Sequence, residues 1–357
     1  MNDTRAKLSY VQVSRAVAIL FVLLGHANTQ FYQAYGYDWL NMGVWERTGG
    51  VDFFFIVTGF MIYYLYHKQI GIPGKAKEFL IKRVVRIFPL YWIFTFLMII
   101  AAFLIKDFEP HYSWKVIVKS FLFVESDPVI GSTWSLKHIL LFYMIFGAWI
   151  YKPKRMKPII VVWVILTVLT EVRLLSILDS FIFSFSSIEV LMGSLVAYWI
   201  LNHKVRYSTV WIVSGILGFL SIWLNNIFLL YEIHAPFFFC LFSMLIMLGM
   251  AEKDKQPRKV PKLLSFLGDA SYSIYIAHGP FLSIFIILLG IVSPDYTLNG
   301  HLMILLVSLL TTVSCCFVYI FVEKPITAAL RRKVLHKGED SFVVTSIGTD
   351  IQVVKNI

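Results

Sequence analysis

Arg15 and His26 stand eleven positions apart in the apolar stretch SRAVAILFVLLGHA. Eleven residues make roughly three turns of α-helix, so both side chains share one face, about 16 Å apart along the axis. A guanidinium and an imidazole on one stripe of a membrane helix are costly in hydrocarbon and point to a polar path. An Arg that snorkels to the headgroups and a His held by a core hydrogen bond would account for the same residues. Asp52, in GGVDFFFIVTGF, falls near the start of the next apolar segment, at a depth where it could meet His26. A carboxylate bonded to one imidazole nitrogen fixes the tautomer and makes the other a better base. Behind Gly49 and Gly50 the same Asp is also suited to capping a helix start.

A second group lies toward the other end of these segments. Lys82, Arg83 and Arg86 belong to FLIKRVVRIFPLYW, and Arg83 and Arg86, three apart, share a helix face. Paired guanidiniums bind phosphate through charge-assisted, often bidentate hydrogen bonds, although basic residues at a membrane surface also serve simple anchoring. Arg15 lies at the same level, which allows a three-Arg pocket for a phosphorylated cytosolic ligand. Glu323 follows the last apolar segment on that side and could pair with the cluster.

Three more residues are candidates for contacting a substrate. His278, in GDASYSIYIAHGP, precedes Gly279-Pro280, a pair that should kink its helix and free backbone groups. Glu189 is a carboxylate inside an apolar stretch and needs either a cationic partner or a function. His138, beside Lys137, sits at the outer start of a span, where interfacial anchoring is an equally simple role. Cys240, Cys315 and Cys316 all lie in apolar stretches, with neither metal-ligand spacing nor a disulfide pattern. There is no Gly-x-Ser-x-Gly elbow, P-loop or dinucleotide fingerprint, and the basic clusters lack the aromatic interleaving of nucleic-acid binders.

The elements that position these residues must be membrane helices. Of the 357 residues 58% are hydrophobic and only 15% are charged, against about 25% charged in a typical soluble domain; mean hydropathy is +0.74. At about 20 apolar residues per span, ten segments are predicted: 10–31, 48–66, 87–105, 134–151, 158–176, 181–201, 208–230, 235–251, 270–292 and 301–322. Glu171, Arg173, Asp179 and Glu189 interrupt the fifth and sixth. Residues 107–133 are too polar to span and are read as the longest external loop. With the N-terminus in the cytoplasm, 26 of the 32 Lys and Arg fall on inner connections, as the positive-inside rule requires. The net charge of +11 is therefore a topology signal and an attraction for anionic lipid. Arg5 and Lys7 precede the first apolar run as in a signal peptide, but no small-residue cleavage site follows, so it is read as an uncleaved span. The expected fold is all-α and polytopic, with both termini cytoplasmic: a membrane domain over 1–330, then a basic and polar tail over 331–357 whose last residues, 338–357, read as loosely ordered. No internal repeat is apparent.

Taken in order, Arg15-x10-His26, GVDFFFIVTGF, Arg83-x-x-Arg86, STWSLKHILLFY, SSIEVLMGSLVAYW, LGDASYSIYIAHGP and VEKP resemble the acyltransferase-3 family of integral membrane acyltransferases, over about residues 10 to 325. The likeness is to its single-domain, exopolysaccharide-modifying branch. It implies a bacterial plasma-membrane enzyme that takes an acyl group, acetyl by expectation, from cytosolic acyl-CoA and passes it to a hydroxyl of an extracytoplasmic or lipid-linked glycan, without a metal. The family's essential His and Arg map onto His26 and Arg15, and its phosphate-binding pair onto Arg83 and Arg86. His26 would act as general base or carry the acyl group covalently, and Asp52 would assist it. One departure stands out: the family usually has Glu where this chain has Ile139. If that Glu is catalytic, Glu189 or Asp52 must carry its role, or the chain binds acyl-CoA without turning it over. A secondary transporter is the remaining alternative.

Overall fold

The structure is a computed structural model and describes residues 8–104, 112–123, 128–175, 180–256, 259–292, 299–335, 342–347 and 350–355. Arg5, Lys7, Lys106, Asp179, Arg258 and Lys337, all used in the topology argument, lie outside these residues. The chain forms α1 (Ser9–Tyr35), α2 (Gly50–Tyr66), α3 (Lys75–Leu104), α4 (Trp114–Phe121), α5 (Leu136–Tyr151), α6 (Pro153–Glu171), α7 (Phe185–Asn202), α8 (Ser208–Phe228), α9 (Ala235–Lys253), α10 (Lys262–Val292), α11 (Gly300–Val318) and α12 (Lys324–Leu335). The protein is an all-α polytopic membrane protein. Each of the ten predicted segments contains a helix, and nine helices among the described residues are long and apolar enough to cross a membrane. The tenth, α6, opens with Lys154, Arg155 and Lys157. Its apolar run from Pro158 to Thr170 spans only about 20 Å at 1.5 Å per residue, short of a hydrocarbon core of about 30 Å.

Three sequence expectations change. The external loop contains α4, which folds back onto α3: the Tyr91 hydroxyl donates to the Ser120 carbonyl at 2.7 Å. The boundary drawn at residue 330 falls inside α12, which runs on to Leu335. The expected loose tail contains an antiparallel pair, β1 (Phe342–Ile347) and β2 (Asp350–Lys355); both segments are rich in the β-branched residues that favour strands.

Between helices in lipid there is little hydrophobic drive, so small residues that let backbones approach and buried hydrogen bonds decide the packing. The tightest approach is between α2 and α7. A Cβ on Gly59 would stand 1.7 Å from the Val190 carbonyl oxygen, and one on Gly193 2.0 Å from that of Ile56. Ser194 seals the crossing by donating to the Gly59 carbonyl at 3.1 Å. Around it Phe55, Ile56, Val57 and Phe60 are buried, whereas Leu217, Leu220 and Leu224 of α8 and Leu305, Leu309 and Phe317 of α11 face outward, as lipid-exposed positions should. At the inner end, meaning the end where α1 begins, the first turn of α1 lacks a side-chain cap of its own. Asp254 supplies one from just after α9, accepting from Tyr10 N at 2.9 Å and Val11 N at 3.0 Å.

Two predictions follow from this packing. Gly59→Ala forces one backbone off the other, and overpacking of this kind costs about 1–3 kcal/mol or more; thermal unfolding in detergent should show a clear fall in Tm, and an unchanged Tm would contradict the close crossing. Burial pushes the Asp254 carboxyl up to about 6, above the unfolded value of about 3.9. The folded state thus holds this proton more tightly. The stability the group contributes is full below about pH 4 and is lost as pH rises through about 6; Asp254→Asn should flatten that part of the Tm–pH profile.

Candidate active site

At the inner end three helices, α1, α3 and α12, bring four arginines together. Arg15 of α1 donates to Ser271 Oγ of α10 at 2.7 Å and to Gln12 Oε1 at 3.2 Å. Arg83 of α3 donates to the Tyr66 hydroxyl at 2.6 Å and lies over the rings of Tyr66, Phe79 and Tyr143 at 5.1, 5.5 and 5.7 Å. Arg86 interacts electrostatically with Arg15 and with Arg331 of α12. Glu323 is buried among them, and Ser273 Oγ donates to its Oε2 at 2.6 Å. Its position follows from one π-helical turn, Tyr319–Glu323, placed just before Pro325, a residue without an N–H to continue the α-helical ladder. No carboxylate among the described residues lies within ion-pairing distance of Arg15, Arg83, Arg86 or Arg331; the Nε atoms of Arg83 and Arg331 are buried without hydrogen-bond partners. The structure thus brings Arg15, Arg83 and Arg86 to one end of the bundle and adds a fourth guanidinium, that of Arg331. Glu323 joins it through the field of Arg86 and Arg15 rather than through a direct ion pair.

α1 and α10 run side by side in the same direction and are joined by polar contacts along their length. Gln12 bonds to Asp269, and Arg15 to Ser271. Further out Gln30 Nε2 donates to the Gly279 carbonyl at 3.5 Å, Ser283 Oγ to Gln30 Oε1 at 3.2 Å, and the Tyr35 hydroxyl to the Ile286 carbonyl at 2.6 Å. Between these ties His26 and His278 meet, with ring centroids 5.0 Å apart. His278 Nδ1 bonds to the Ile274 carbonyl at 2.9 Å, which makes Nδ1 the protonated nitrogen and leaves Nε2 with its lone pair. That Nε2 is buried and has no partner. α10 continues through Gly279-Pro280 to Val292.

Asp52 is elsewhere. It faces Arg47, whose NH1 donates to Asp52 Oδ1 at 3.0 Å and lies 3.6 Å from Glu189 Oε2. No hydrogen bond among the described residues joins Asp52 to His26, because His26 faces α10 while Asp52 lies between α2 and α7. Arg47 is one of the six basic residues that fall outside the inner connections, and helical spacing gives it no role. The connection is held on α1 by Asn28, which donates to Asp38 at 2.9 Å and accepts from Trp39 N at 2.6 Å. It then drops inward until Thr48 Oγ1 reaches the Phe21 carbonyl at 3.1 Å. Two buried carboxylates with no basic partner on their own helices were the available signal. Burial works against the Arg47 charge, but the carboxylates of Asp52, Glu189 and Glu46 more than offset it and hold the guanidinium above its ordinary range.

His138 stands close to this cluster. Arg47 lies over the Trp134 ring at 5.3 Å, and the Trp134 and His138 rings are 5.9 Å apart. His138 is buried rather than interfacial. Its Nδ1 bonds to Ser187 Oγ at 2.7 Å, and Ser187 Oγ donates to the Phe181 carbonyl at 2.5 Å. His138 and Arg47 line an outward cavity of about 410 Å³ with Lys137, Glu46, Trp134 and Phe181. Ile139, next to His138, is buried in the apolar core.

A many-helix membrane bundle with an arginine cluster at one end and buried histidines and carboxylates toward the other defines a multi-pass membrane protein built for polar chemistry. The family model described as an acyltransferase domain matches residues 8–320, and the chain belongs to this family; it is a membrane acyltransferase. Over 259 residues it is 24% identical to the exopolysaccharide production protein ExoZ of Rhizobium meliloti (strain 1021), an alignment that covers 65% of this chain and 78% of that protein. No solved structure matches.

Removing one partner of a buried pair leaves the other charge uncompensated at about 3–5 kcal/mol. Arg47→Met should therefore lower Tm sharply. Glu189→Gln should leave it unchanged or raise it, since Arg47 keeps Asp52 and a crowded like charge is gone. A Tm loss in Glu189→Gln equal to that of Arg47→Met would contradict this division of roles.

Proposed function

We propose that this protein is an O-acyltransferase of a bacterial plasma membrane. It takes an acyl group, acetyl by expectation, from acyl-CoA at the cytoplasmic face and delivers it to a hydroxyl of an extracytoplasmic glycan or its lipid-linked precursor. The observation that carries the reading is the pair on α1: Arg15 within an arginine cluster that has no ion-paired carboxylate among the described residues, and His26 eleven residues outward against the lone-pair-bearing His278. The first suits the phosphates of CoA, and the second suits proton removal from an alcohol. The printed name of the relative from Rhizobium meliloti favours an exopolysaccharide as acceptor.

In this mechanism the neutral His26 takes the proton of the acceptor hydroxyl as its oxygen attacks the thioester carbonyl. The tetrahedral oxyanion collapses, the C–S bond breaks, and the CoA thiolate leaves, taking a proton back. An acyl-His26 intermediate is the alternative course. His278 accepts hydrogen bonds at Nε2, which suits a partner that orients His26 or the acceptor. His138 and Glu189 belong to the cavity side, where aromatic and polar groups suit a sugar ring. Asp52 assists indirectly, as the partner of Arg47. Ile139 removes the carboxylate that α5 usually supplies in the family, and the Asp52–Glu189 pair offers carboxylates near His138 in its place.

The test is acetyl-CoA turnover by the purified chain in liposomes. Loss of a general base costs about 10²–10⁴-fold in rate, so His26→Ala should nearly abolish turnover while CoA binding persists. Arg83→Ala or Arg86→Ala should weaken CoA binding about tenfold or more. Turnover untouched by His26→Ala would overturn the mechanism. Binding without turnover in the wild type would make Ile139 the lesion, and Ile139→Glu should then restore activity.

A further inference from the structure

Arg331 lies beyond the residues matched by the family model, on a helix that sequence reasoning assigned to a tail. It is the first of three consecutive basic residues, Arg331, Arg332 and Lys333, and the only one turned inward; the other two are exposed. It shares a face with Glu323, eight residues earlier, and reaches the field of Arg86, Arg83 and Tyr66. Its Nε is buried without a partner, as is that of Arg83. Four guanidiniums thus lie together at the inner end. Glu323 is bonded to Ser273, and among the described residues no carboxylate lies within ion-pairing distance of the four arginines. Groups held this way favour a ligand that carries several negative charges.

The arginines also have an order. Arg15 is on the helix that carries His26 and is tied to Ser271 of the α1–α10 seam. Arg83 and Arg86 are on α3. Arg331 is on α12, and its basic neighbours are Arg86 and Arg83 of α3. In acyl-CoA the phosphate farthest from the thioester along the molecule is the 3′-phosphate of the ribose. We propose that Arg331 binds this 3′-phosphate, so that α12 closes the arginine cluster over the nucleotide end of the donor and sets a preference for CoA over its dephosphorylated form. The inference rests on the reading of the cluster as the acyl-CoA site.

The experiment compares binding of CoA and of dephospho-CoA, which lacks only the 3′-phosphate, to the full chain in lipid nanodiscs. The wild type should bind CoA about tenfold or more tightly than dephospho-CoA, the scale of one charge-assisted contact. Arg331→Ala and Arg331→Gln should weaken CoA binding by that factor and bind the two ligands alike, with wild-type affinity for dephospho-CoA showing that the fold is intact. Arg331→Lys should recover part of the preference, and Arg332→Ala all of it. A wild type that does not discriminate, or an Arg331 variant that keeps the full preference, would overturn the proposal while leaving the donor site in place. CoA binding unaffected by Arg83→Ala and Arg86→Ala would instead remove the donor-site reading, and this inference with it.

Discussion

Moving a guanidinium from water into an apolar bundle costs several kcal/mol unless its charge and donors are met, and this protein meets that cost in two opposite ways. Arg47 is surrounded by acid: Asp52 at 3.0 Å, Glu189 at 3.6 Å and the Trp134 face. It is a finished structural unit. Arg15 and Arg83 are met by hydroxyls, aromatic rings and a side-chain amide, and neither they nor Arg86 and Arg331 have a carboxylate in ion-pairing distance among the described residues. Their surplus is positive. An internal ion pair neutralises a site; hydroxyls and rings hold a guanidinium in place while leaving its charge to attract an anion. The inner guanidiniums therefore keep their charge available, while the outer one is met by its own acids.

The α1–α10 seam connects the ends. In the bilayer core a polar contact between helices replaces groups that would otherwise have no partner, so such contacts specify register. Gln12 with Asp269 and Tyr35 with Ile286 fix the two helices near their ends, and Arg15 and His26 sit between those ties. Arg15 and His26 thus lie on a seam that is tied at both of its ends. Gly268 allows this closeness at the inner end, where a Cβ would stand 2.2 Å from the Gln12 carbonyl oxygen.

Much of this was legible in the sequence because membrane chemistry restricts what apolar segments can hold. Span positions followed from hydropathy, and Arg15, Arg83 and Arg86 followed from a 3.6-residue repeat that places them on helix faces at one level. What was missed came from chain that leaves the helical period. Arg47 reaches its carboxylates through a connection that re-enters the bundle, held by Asn28 and Thr48, and no periodicity describes such a path. Arg331 was assigned to a tail because basic residues after a final span normally mark the cytoplasmic surface; only the π-helical turn before Pro325 brings its helix back under α3. The expected pairing of His26 with Asp52 was right about the two segments being neighbours and wrong about azimuth, since depth along an axis says nothing about which side of a helix faces which neighbour.

The same distinction bears on Ile139. Judged along α5 alone, an isoleucine in place of a carboxylic acid removes an acceptor that no apolar side chain replaces. In three dimensions the surroundings of His138 are supplied by α2 and α7, whose crossing at Gly59 and Gly193 brings Asp52 and Glu189 onto one arginine. That arginine needs only one of them for neutrality. The second carboxylate is unneeded for stability and expensive to keep buried, with both oxygens lacking a hydrogen-bond partner. Glu189 thus leaves this bundle with a buried acid close to the level at which α5 carries the apolar Ile139.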